Sequence, residues 1–282
     1  MSAADSAGLG PGGPFDRPDR WFNTLEGWTW IGCYGGYYLQ ADNLAAAGFE
    51  HGFFTRLWHG RDPEELTGYI SVGTSVHRPQ QVHSGRVLEA SQACGAPWPE
   101  ADGLVSDRGG QSLWVCGADC TPVLIADPAT GHTAACHAGW RGVAARILPT
   151  AVQLLEARGA RRQDLLVALG PAISGPRYQV GDDVVNAVAA SLDSAADGRR
   201  KLIEAGAIQD DPEPERCRFD LRRATVLQLT QAGLSSERIS SCPLCTAEES
   251  ELFHSWRRDQ VKAVQWSGIV CQAEDSAAAC NS

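Results

Sequence analysis

The sequence predicts a single mixed α/β domain, and three observations indicate it. Short runs of β-forming residues bounded by turn residues fill the first half of the chain. Beyond residue 141 the apolar residues recur at helical spacing. No repeat, coiled-coil run or linker divides the 282 residues, a length that suits one large domain or two small ones.

Most of the predicted strands precede the first long helix. Residues 28–56 are expected to form three strands, the first two joined at a Gly-Gly turn. A helix is expected to begin near Pro63, and residues 81–87 to form a strand that contains a Ser-Gly turn. The other predicted strands are apolar runs at 112–116, 122–127, 132–137, 165–169 and 261–270.

The predicted helices lie mainly in the second half. An amphipathic pattern over 141–158 predicts one helix, closed by Gly159. Residues 182–192 and 221–232 are also predicted to be helical, whereas 205–217 reads as a polar insertion. The GPAISGP segment after residue 169 predicts a loop, because its glycines and prolines disfavour regular structure.

The two ends differ from the rest of the chain. Residues 1–27 are rich in glycine and proline and lack the apolar segment of a secretory signal, so a disordered leader is expected. A folded domain over 28–272 and a flexible tail over 273–282 would follow. No apolar run approaches the roughly 20 residues of a membrane span. A cytoplasmic protein with mostly reduced cysteines is therefore predicted.

The charge balance limits the classes of partner. The chain has 24 basic and 34 acidic residues, a formal net charge of −10. Because phosphate backbones and anionic lipids attract basic surfaces, neither nucleic acid nor membrane is expected to bind. A small anionic substrate in a locally basic pocket remains compatible with this charge. The sequence leaves the oligomeric state open.

Several common catalytic motifs are missing from the sequence. The chain has no GxxxxGK, GxGxxG, GxSxG or HExxH segment. Cys242 and Cys245 form one CxxC pair, but a zinc knuckle would need a second pair, and a zinc deaminase would need an upstream HxE. These two cysteines are therefore interpreted as structural thiols.

His83, Cys120 and His137 form the strongest candidate constellation. Each is expected at a strand end beside a glycine-containing turn. The long intervals between them are unlike the short pairs of structural zinc sites and resemble catalytic sites, where three ligands leave a fourth position open. The residues alone fit a metal site, a thiolate–imidazole pair or buried core residues.

The remaining histidines are less informative. His59, His77 and His132 lie in polar or turn segments and are expected at the surface, and His51 could cap a strand. His254 lies beside two arginines, which suggests a pocket.

Ordered motifs connect these residues to a known family. The chain contains QVHSGRV (81–87), ADCTPVLIADP (118–128), AACHAGWRG (134–142) and LGPAISGPRYQVGDDV (169–184). FFTR (53–56), DGLVSD (102–107) and CTAEESELFHSWRRD (245–259) complete the set. Together they closely resemble the bacterial laccase-domain family over roughly residues 50–260. Its members were once called multicopper polyphenol oxidases and are now described as purine nucleoside phosphorylases with adenosine deaminase activity.

The resemblance implies a fold, a metal and an activity. The fold would be a four-layer α/β/β/α arrangement with mixed β-sheets. Zinc would be held by His83, Cys120 and His137. The activity would be phosphorolysis of adenosine, inosine, guanosine and methylthioadenosine, together with hydrolytic deamination of adenosine.

The sequence departs from the family pattern in two segments. Ala172 stands where the family has a cysteine, so any role of that thiol is absent. His254 and Trp256 replace a Phe and a Tyr, and a later arginine is missing. Because that segment is expected to line the pocket, these changes bear on substrate preference.

The implied chemistry assigns roles to further residues. A metal would lower the pKa of bound water, as deamination requires. Asp119 is a candidate proton shuttle, although a solvated carboxylate or a partner of a ligand is equally expected. Gln81 is expected to touch substrate or orient a ligand. Arginine forms bidentate hydrogen bonds with phosphate oxygens. The phosphate-binding candidates are the arginines within the motif segments, Arg56, Arg141, Arg257 and Arg258.

Other functions use the same residues. A blue-copper laccase cluster needs more histidines than the seven present, several as HxH pairs, and the chain has no HxH. A copper-binding polyphenol oxidase is still an alternative, because Cu²⁺ outcompetes Zn²⁺ at most such sites. A Cys–His amidohydrolase acting on peptidoglycan precursors would need no metal. A metal-bound or partner-binding protein without activity is the remaining alternative.

Overall fold

Two six-stranded β-sheets form the centre of the protein, seen here in a computed structural model that describes residues 25–274. The predicted leader (1–27) and tail (273–282) lie almost entirely outside these residues, so both stay predictions. The strands are β1 (Trp28–Cys33), β2 (Gly36–Ala41), β3 (His51–Phe54), β4 (Ser75–His77), β5 (Val87–Glu89), β6 (Gly103–Val105), β7 (Gln111–Gly117), β8 (Thr121–Ala126), β9 (Thr133–Ala138), β10 (Leu166–Leu169), β11 (Gln179–Gly181), β12 (Ile208–Asp210), β13 (Arg216–Phe219), β14 (Ile239–Ser241) and β15 (Gln265–Val270).

The helices connect these strands and cover the sheets. They are α1 (Asp42–Ala46), α2 (Pro63–Ile70), α3 (Trp140–Ala144), α4 (Ile147–Glu156), α5 (Asp182–Leu192), α6 (Ala195–Glu204), α7 (Leu221–Gln231) and α8 (Trp256–Asp259). Within residues 25–274, no helix combines the length and the apolar character that crossing a bilayer requires.

Both large sheets are mixed. The first has the strand order β1-β2-β3-β15-β7-β4, and only its β4–β7 pair is parallel. The second has the order β14-β10-β8-β9-β6-β5, antiparallel in the centre and parallel at both edges. A small antiparallel sheet, β11-β13-β12, lies apart from them.

The two-residue period of the strands divides the side chains between layers. In β8, Leu124 packs in the core between the two sheets, while Val123 and Ile125 pack against the helices. In β7, Leu113 points into the inter-sheet core and Trp114 points to the outer face. Such strands are buried on both faces because a layer covers each face.

Helices cover both outer faces of the sheet pair. Apolar residues of α4, α5 and α7 pack on the second sheet through Leu148, Val188 and Leu229. Leu66 of α2 packs with Trp114 on the outer face of the first sheet. The order helix, sheet, sheet, helix confirms the predicted four-layer α/β/β/α fold.

The structure corrects the helix predicted over 141–158. Two helices, α3 and α4, occupy this segment, and Arg146 between them has φ of 60°. Pro149 explains the break, because a proline inside one continuous helix would remove a hydrogen bond and clash with the preceding turn. With α4 beginning at Ile147, Pro149 lies in the first turn, where its missing N–H costs nothing.

Three further segments differ from prediction. Residues 81–86 form a loop rather than a strand, and only Val87 enters β5. The polar insertion at 205–217 contains β12 and the start of β13, which complete the small third sheet. Helix α6 was not predicted, because half of its ten residues are charged and only Leu202 and Ile203 are large and apolar.

The histidines outside the candidate site are mostly structural. His77 is buried, so the expectation that it is exposed is wrong: it lies in β4 beside β7, and its Nε2 meets the Ser75 hydroxyl at 2.8 Å. His132 is half-buried and contacts the Ser106 hydroxyl at 3.0 Å, whereas His59 is exposed as predicted. His51 is fully buried, and its Nε2 accepts the Ala41 backbone N–H at 2.8 Å.

Candidate metal centre and active site

His83, Cys120 and His137 meet beside the ends of β8 and β9, two central strands of the second sheet. Their ligand atoms lie within 4.8 Å of one another, and no other such group of three or more is found among residues 25–274. Strands β8 and β9 are antiparallel with Pro122 opposite His137. The start of β8, which Cys120 immediately precedes, therefore lies beside the end of β9. Chain topology thus brings together ligands that are distant in sequence.

A buried carboxylate, that of Asp102, supports two of the three ligands. It precedes β6, the other neighbour of β9, and is fully buried. Its Oδ1 lies 2.9 Å from His137 Nδ1, so His137 presents Nε2 toward the other ligands. The same carboxylate accepts the backbone N–H of His83 at 3.0 Å and of Ser84 at 2.6 Å, and also that of Val82 at 3.2 Å.

The loop that carries His83 is shaped by these bonds. His83 has φ of 60°, a left-handed conformation unusual for a residue other than glycine. Asp102 binds three consecutive amides here, and such binding takes the place of strand pairing. This explains why the strand predicted over 81–87 does not form.

Gly139 leaves the space in which the ligands meet. A Cβ at this position would lie 2.9 Å from Cys120 Sγ and 3.4 Å from His83 Cδ2. The first distance is shorter than real Cβ contacts allow. The first glycine of the HAGWRG motif, Gly139, is therefore required because the Cys120 and His83 side chains approach it closely.

Hydrogen bonds strongly shift the pKa values of Cys120, His137 and Asp102. Burial raises the pKa of the Cys120 thiol, but hydrogen bonds with His137 and His83 outweigh burial and lower the pKa to about 6. Burial lowers the pKa of His137, but its bonds to Asp102 and Cys120 reverse this and raise the pKa to about 9. For Asp102 the hydrogen bonds from His137 and Ser84 overcome burial and lower the pKa to about 2. The centre favours a thiolate beside imidazoles held by a carboxylate.

A divalent transition metal fits this donor set. Two imidazole nitrogens and a thiolate are ligands that zinc and copper favour. Metal–ligand bonds of about 2.0–2.3 Å place the donors of one tetrahedral ion about 3.5 Å apart, so small side-chain rotations from the observed positions suffice. The contact from Asp102 to the second nitrogen of His137 is the usual support of a metal-bound histidine.

The three ligands open into a cavity of about 630 Å³. This volume lies in the range of about 300–1,000 Å³ typical of small-molecule sites. Aromatic and cationic side chains form much of its wall: Trp140, Arg141, Tyr178, Trp256, Arg257 and Lys262. A chain with a net charge of −10 thus concentrates positive charge around the metal-ligand group.

Two of the four predicted phosphate-binding arginines line this cavity. The Arg141 guanidinium lies 4.4 Å from the ring centre of Trp140, and that of Arg257 lies 5.0 Å from Tyr178. These cation–π contacts fix the arginines on the cavity wall. Lys262, also on the wall, was missed by sequence reasoning because it lies in a loop without a recognisable motif.

Arg56 and Arg258 do not line the cavity. The Arg56 guanidinium donates to the Ser250 carbonyl at 2.6 Å. Arg258 donates to the Thr246 carbonyl at 2.7 Å and pairs with Asp259. Both guanidinium groups hold the 246–259 segment in place, and this geometry does not favour phosphate binding by either.

Gln81 and Asp119 lie at the cavity and make firm contacts with the protein. The Gln81 amide bonds both the carbonyl and the N–H of Cys116, each at 2.7 Å. It therefore anchors the start of the His83 loop to β7. The Asp119 carboxylate accepts the Thr246 hydroxyl and the Arg257 backbone N–H, each at 2.6 Å. A proton-transfer role for Asp119 remains a prediction.

Asp102 and Tyr178 are the main site residues that the sequence did not reveal. Asp102 lies in the DGLVSD motif, and the signal that could have found it is the need of a metal-bound histidine for a carboxylate partner. Burial, together with the nearby Cys120, raises the pKa of Tyr178 to about 12, so its hydroxyl stays protonated. Cys242 and Cys245 are both buried and lie outside the ligand group, in keeping with structural thiols.

Comparison with known proteins decides the family. A family model described as multi-copper polyphenol oxidoreductase laccase matches residues 63–272. The chain belongs to this laccase-domain family. Its membership agrees with the motifs that the sequence contains.

Relatives of this laccase-domain protein carry informative names. It is 40% identical over 258 residues to a purine nucleoside phosphorylase of Synechocystis sp., slr1573, which covers 86% of this chain and 97% of that protein. It is 36% identical over 174 residues to the purine nucleoside phosphorylase YlmD of Bacillus subtilis, covering 61% of this chain and 59% of that protein.

Solved structures share the fold. YlmD from Geobacillus stearothermophilus matches with a TM-score of 0.73 at 26% identity, covering 83% of this chain and 96% of that chain. The Neisseria meningitidis protein NMB0706 matches with a TM-score of 0.64 at 26% identity, covering 92% of this chain and 98% of that chain.

Proposed function

We propose that this laccase-domain protein is a zinc-dependent purine nucleoside phosphorylase that also deaminates adenosine. The observation that carries the proposal is the composition of one cavity. It contains the three-ligand group of His83, Cys120 and His137 beside three cationic side chains, in a protein of net charge −10. The names of the curated relatives support the same class of reaction.

The cationic side chains are suited to phosphate. Arg141 comes from α3, whereas Arg257 and Lys262 come from α8 and the loop that follows it, and all three line one cavity. Guanidinium groups pair with phosphate oxygens through two parallel hydrogen bonds, and lysine adds a mobile point charge. Held there, phosphate is positioned to attack C1′ of the ribose. The glycosidic bond then breaks, and the products are the purine base and ribose 1-phosphate.

The aromatic residues are suited to the purine. One face of Trp140 and one face of Tyr178 are covered by Arg141 and Arg257. Trp256 lies at the cavity with its side chain about half exposed, at 49%. Its free ring surface can stack on a purine, since offset aromatic stacking adds to the burial of apolar area. Trp256 stands where the family has a tyrosine, so this contact would affect the choice of base.

When bound, a divalent metal supplies Lewis acidity at the cavity wall and favours the ionised form of a coordinated water. The protein's own residues prepare this chemistry. Asp102 holds His137 in the tautomer that presents Nε2 and fixes the loop bearing His83. Deamination of adenosine would add water at C6 and release ammonia in the same cavity. We propose zinc as the native metal and treat copper as a competitor that binds more tightly.

A second function is favoured by one specific arrangement. The imidazole of His137 contacts the Cys120 thiol on one side and the Asp102 carboxylate on the other. This is the arrangement of nucleophile, base and carboxylate found in a cysteine hydrolase. A Cys–His amidohydrolase would use these three residues without metal. His83 distinguishes the two readings, because a metal site requires it as a third ligand and a hydrolase triad does not.

Product identification tests the proposal. The purified protein would be incubated with adenosine or inosine, with and without phosphate, and the products separated by chromatography. The proposal predicts hypoxanthine and ribose 1-phosphate from inosine only when phosphate is present, and inosine plus ammonia from adenosine without it. Turnover of no purine nucleoside, with release of an amino acid from a peptidoglycan precursor, would favour the amidohydrolase instead.

A further inference from the structure

Asp119 makes contacts that a proton shuttle would not need. Its backbone φ is 97°, a conformation that side-chain-bearing residues adopt only where the surroundings impose it. Its carbonyl accepts the Ile173 N–H at 3.0 Å. Its two carboxylate oxygens accept the Thr246 hydroxyl and the Arg257 backbone N–H, both at 2.6 Å. One residue thus joins the Cys120 turn to three distant segments.

These contacts connect the turn that carries Cys120 with the part of the cavity wall that carries Arg257. Asp119 directly precedes Cys120 in the short turn between β7 and β8. Arg257 lies in the first turn of α8, and its guanidinium donates to the Gln179 carbonyl at 2.9 Å while it rests over Tyr178. The position of the Arg257 main chain depends on Asp119, and the position of its side chain depends on the 178–179 segment.

We infer that Asp119 is a positioning residue that fixes the spacing between the metal ligand Cys120 and the phosphate-binding residue Arg257. The part concerning phosphate rests on the proposed function, whereas the part concerning the metal ligand and α8 does not. Both carboxylate oxygens already accept hydrogen bonds, one from the Thr246 hydroxyl and one from the Arg257 backbone N–H. Asp119 therefore acts through the residues that it holds in place.

Two substitutions separate positioning from proton transfer. Asp119→Asn retains an amide oxygen that can accept the Arg257 N–H, and its NH₂ group can donate to the Thr246 hydroxyl, which then reverses its role. It cannot act as an acid or base. Asp119→Ala removes both contacts. Thr246→Val removes one of the two and should show a weaker effect in the same direction.

The readouts are the zinc dissociation constant, hydrogen exchange of the 256–259 amides, and the KM for phosphate. Asp119→Ala is expected to weaken zinc binding by about 10-fold or more, to accelerate exchange in α8, and to raise KM for phosphate by about 10- to 100-fold. Asp119→Asn is expected to restore most of each property and to leave the pH profile of kcat unshifted.

Zinc affinity and amide exchange test the role of Asp119, whereas nucleoside turnover tests the proposed function. If the wild-type protein turns over no nucleoside, the proposed function fails, while zinc affinity and amide exchange still report on Asp119. Wild-type zinc affinity and wild-type exchange in Asp119→Ala would overturn the inference. It would also be overturned if Asp119→Asn lost as much kcat as Asp119→Ala while zinc affinity and exchange stayed unchanged.

Discussion

Asp102 and His137 are joined by a hydrogen bond of 2.9 Å between a carboxylate oxygen and Nδ1, and neither residue is accessible to solvent to any substantial degree. The same carboxylate holds the amides of the loop that carries His83. One buried acid thus orients one ligand through its side chain and another through its main chain.

Asp102→Asn should weaken metal binding by about 10- to 100-fold, the usual effect of removing the partner of a ligand. The amide is neutral, so it stabilises His137 less and binds the loop amides less tightly. Chelator competition would measure the metal dissociation constant. Asp127→Asn is a matched control, because Asp127 is equally buried but bonds only Thr130 and its neighbours in a turn at the other end of β8. Equal metal affinity in the two variants would contradict the role of Asp102.

Cys120→Ser should abolish stoichiometric metal binding and phosphorolysis, since a hydroxyl is a far poorer ligand for zinc than a thiolate. Cys116→Ser is the control, because Cys116 lines the same cavity but lies outside the ligand group. Burial raises the pKa of Cys116 to about 12, so it remains a thiol. Metal content measured by atomic emission should fall only in the Cys120 variant; retention of metal there would remove Cys120 from the site.

Gly139→Ala should reduce metal affinity while leaving the fold intact, because the new methyl group would lie 2.9 Å from Cys120 Sγ. The ligands would have to separate to make room for it. Gly68→Ala provides the control: it lies in α2, nothing lies within 4 Å of its Cβ position, and alanine favours helices. Metal affinity and thermal unfolding would be measured for both. Wild-type affinity in Gly139→Ala would show that the ligands do not pack as closely as described.

Metal affinity should rise with pH in a defined window. In the metal-free protein, the pKa of His137 is raised to about 9 and that of Cys120 is lowered to about 6. Between these values the histidine holds a proton that metal binding must displace, while the cysteine is already ionised. Affinity should therefore fall about tenfold for each unit of pH lost from about pH 9 to about pH 6, and more steeply below it.

Calorimetry in two buffers of different ionisation enthalpy would count the protons released on metal binding. Near pH 7.5, inside the window set by pKa values of about 6 and about 9, about one proton should leave per metal bound. Release of none would mean that His137 is neutral before the metal arrives.

Arg257→Ala should raise the KM for phosphate by about 10- to 100-fold, because one charge-assisted pair of hydrogen bonds is lost. Arg141→Ala should act in the same direction. Arg161→Ala is the control, since Arg161 is 72% exposed in its side chain, pairs only with Asp164 and lies away from the cavity. Steady-state kinetics with varied phosphate would separate KM from kcat. An unchanged KM in both cavity variants would show that phosphate binds elsewhere.

Local patterns predicted most of the fold. Apolar runs indicated the central strands, and the four-layer order followed from the family resemblance and was confirmed. The break before α4 could have been read from Pro149, because proline is tolerated only in the first turn of a helix. The 81–86 loop could not have been predicted from its own sequence. Its conformation depends on hydrogen bonds to Asp102, which lies almost 20 residues later, just before β6.

In the site, too, the residue types could be predicted from the sequence, whereas contacts between distant residues could not. The residue types and positions of His83, Cys120 and His137 indicated a ligand set, since cysteine and histidine favour transition metals. Asp102 was missed because its only signal is indirect: a metal-bound histidine needs a carboxylate partner, and the sequence does not show which carboxylate lies beside it. Arginines were chosen from motifs, but the direction of each side chain depends on loop geometry. Arg141 and Arg257 line the cavity, whereas Arg56 and Arg258 bond to main-chain carbonyls.

Phosphate-dependent formation of ribose 1-phosphate from inosine, measured in metal-depleted and zinc-restored protein, tests the central claim most directly. The proposed function predicts that hypoxanthine and ribose 1-phosphate appear in equal amounts, only with phosphate, and only after zinc is restored. Cleavage that proceeds equally well in metal-depleted protein, or hypoxanthine released without any ribose 1-phosphate, would contradict it.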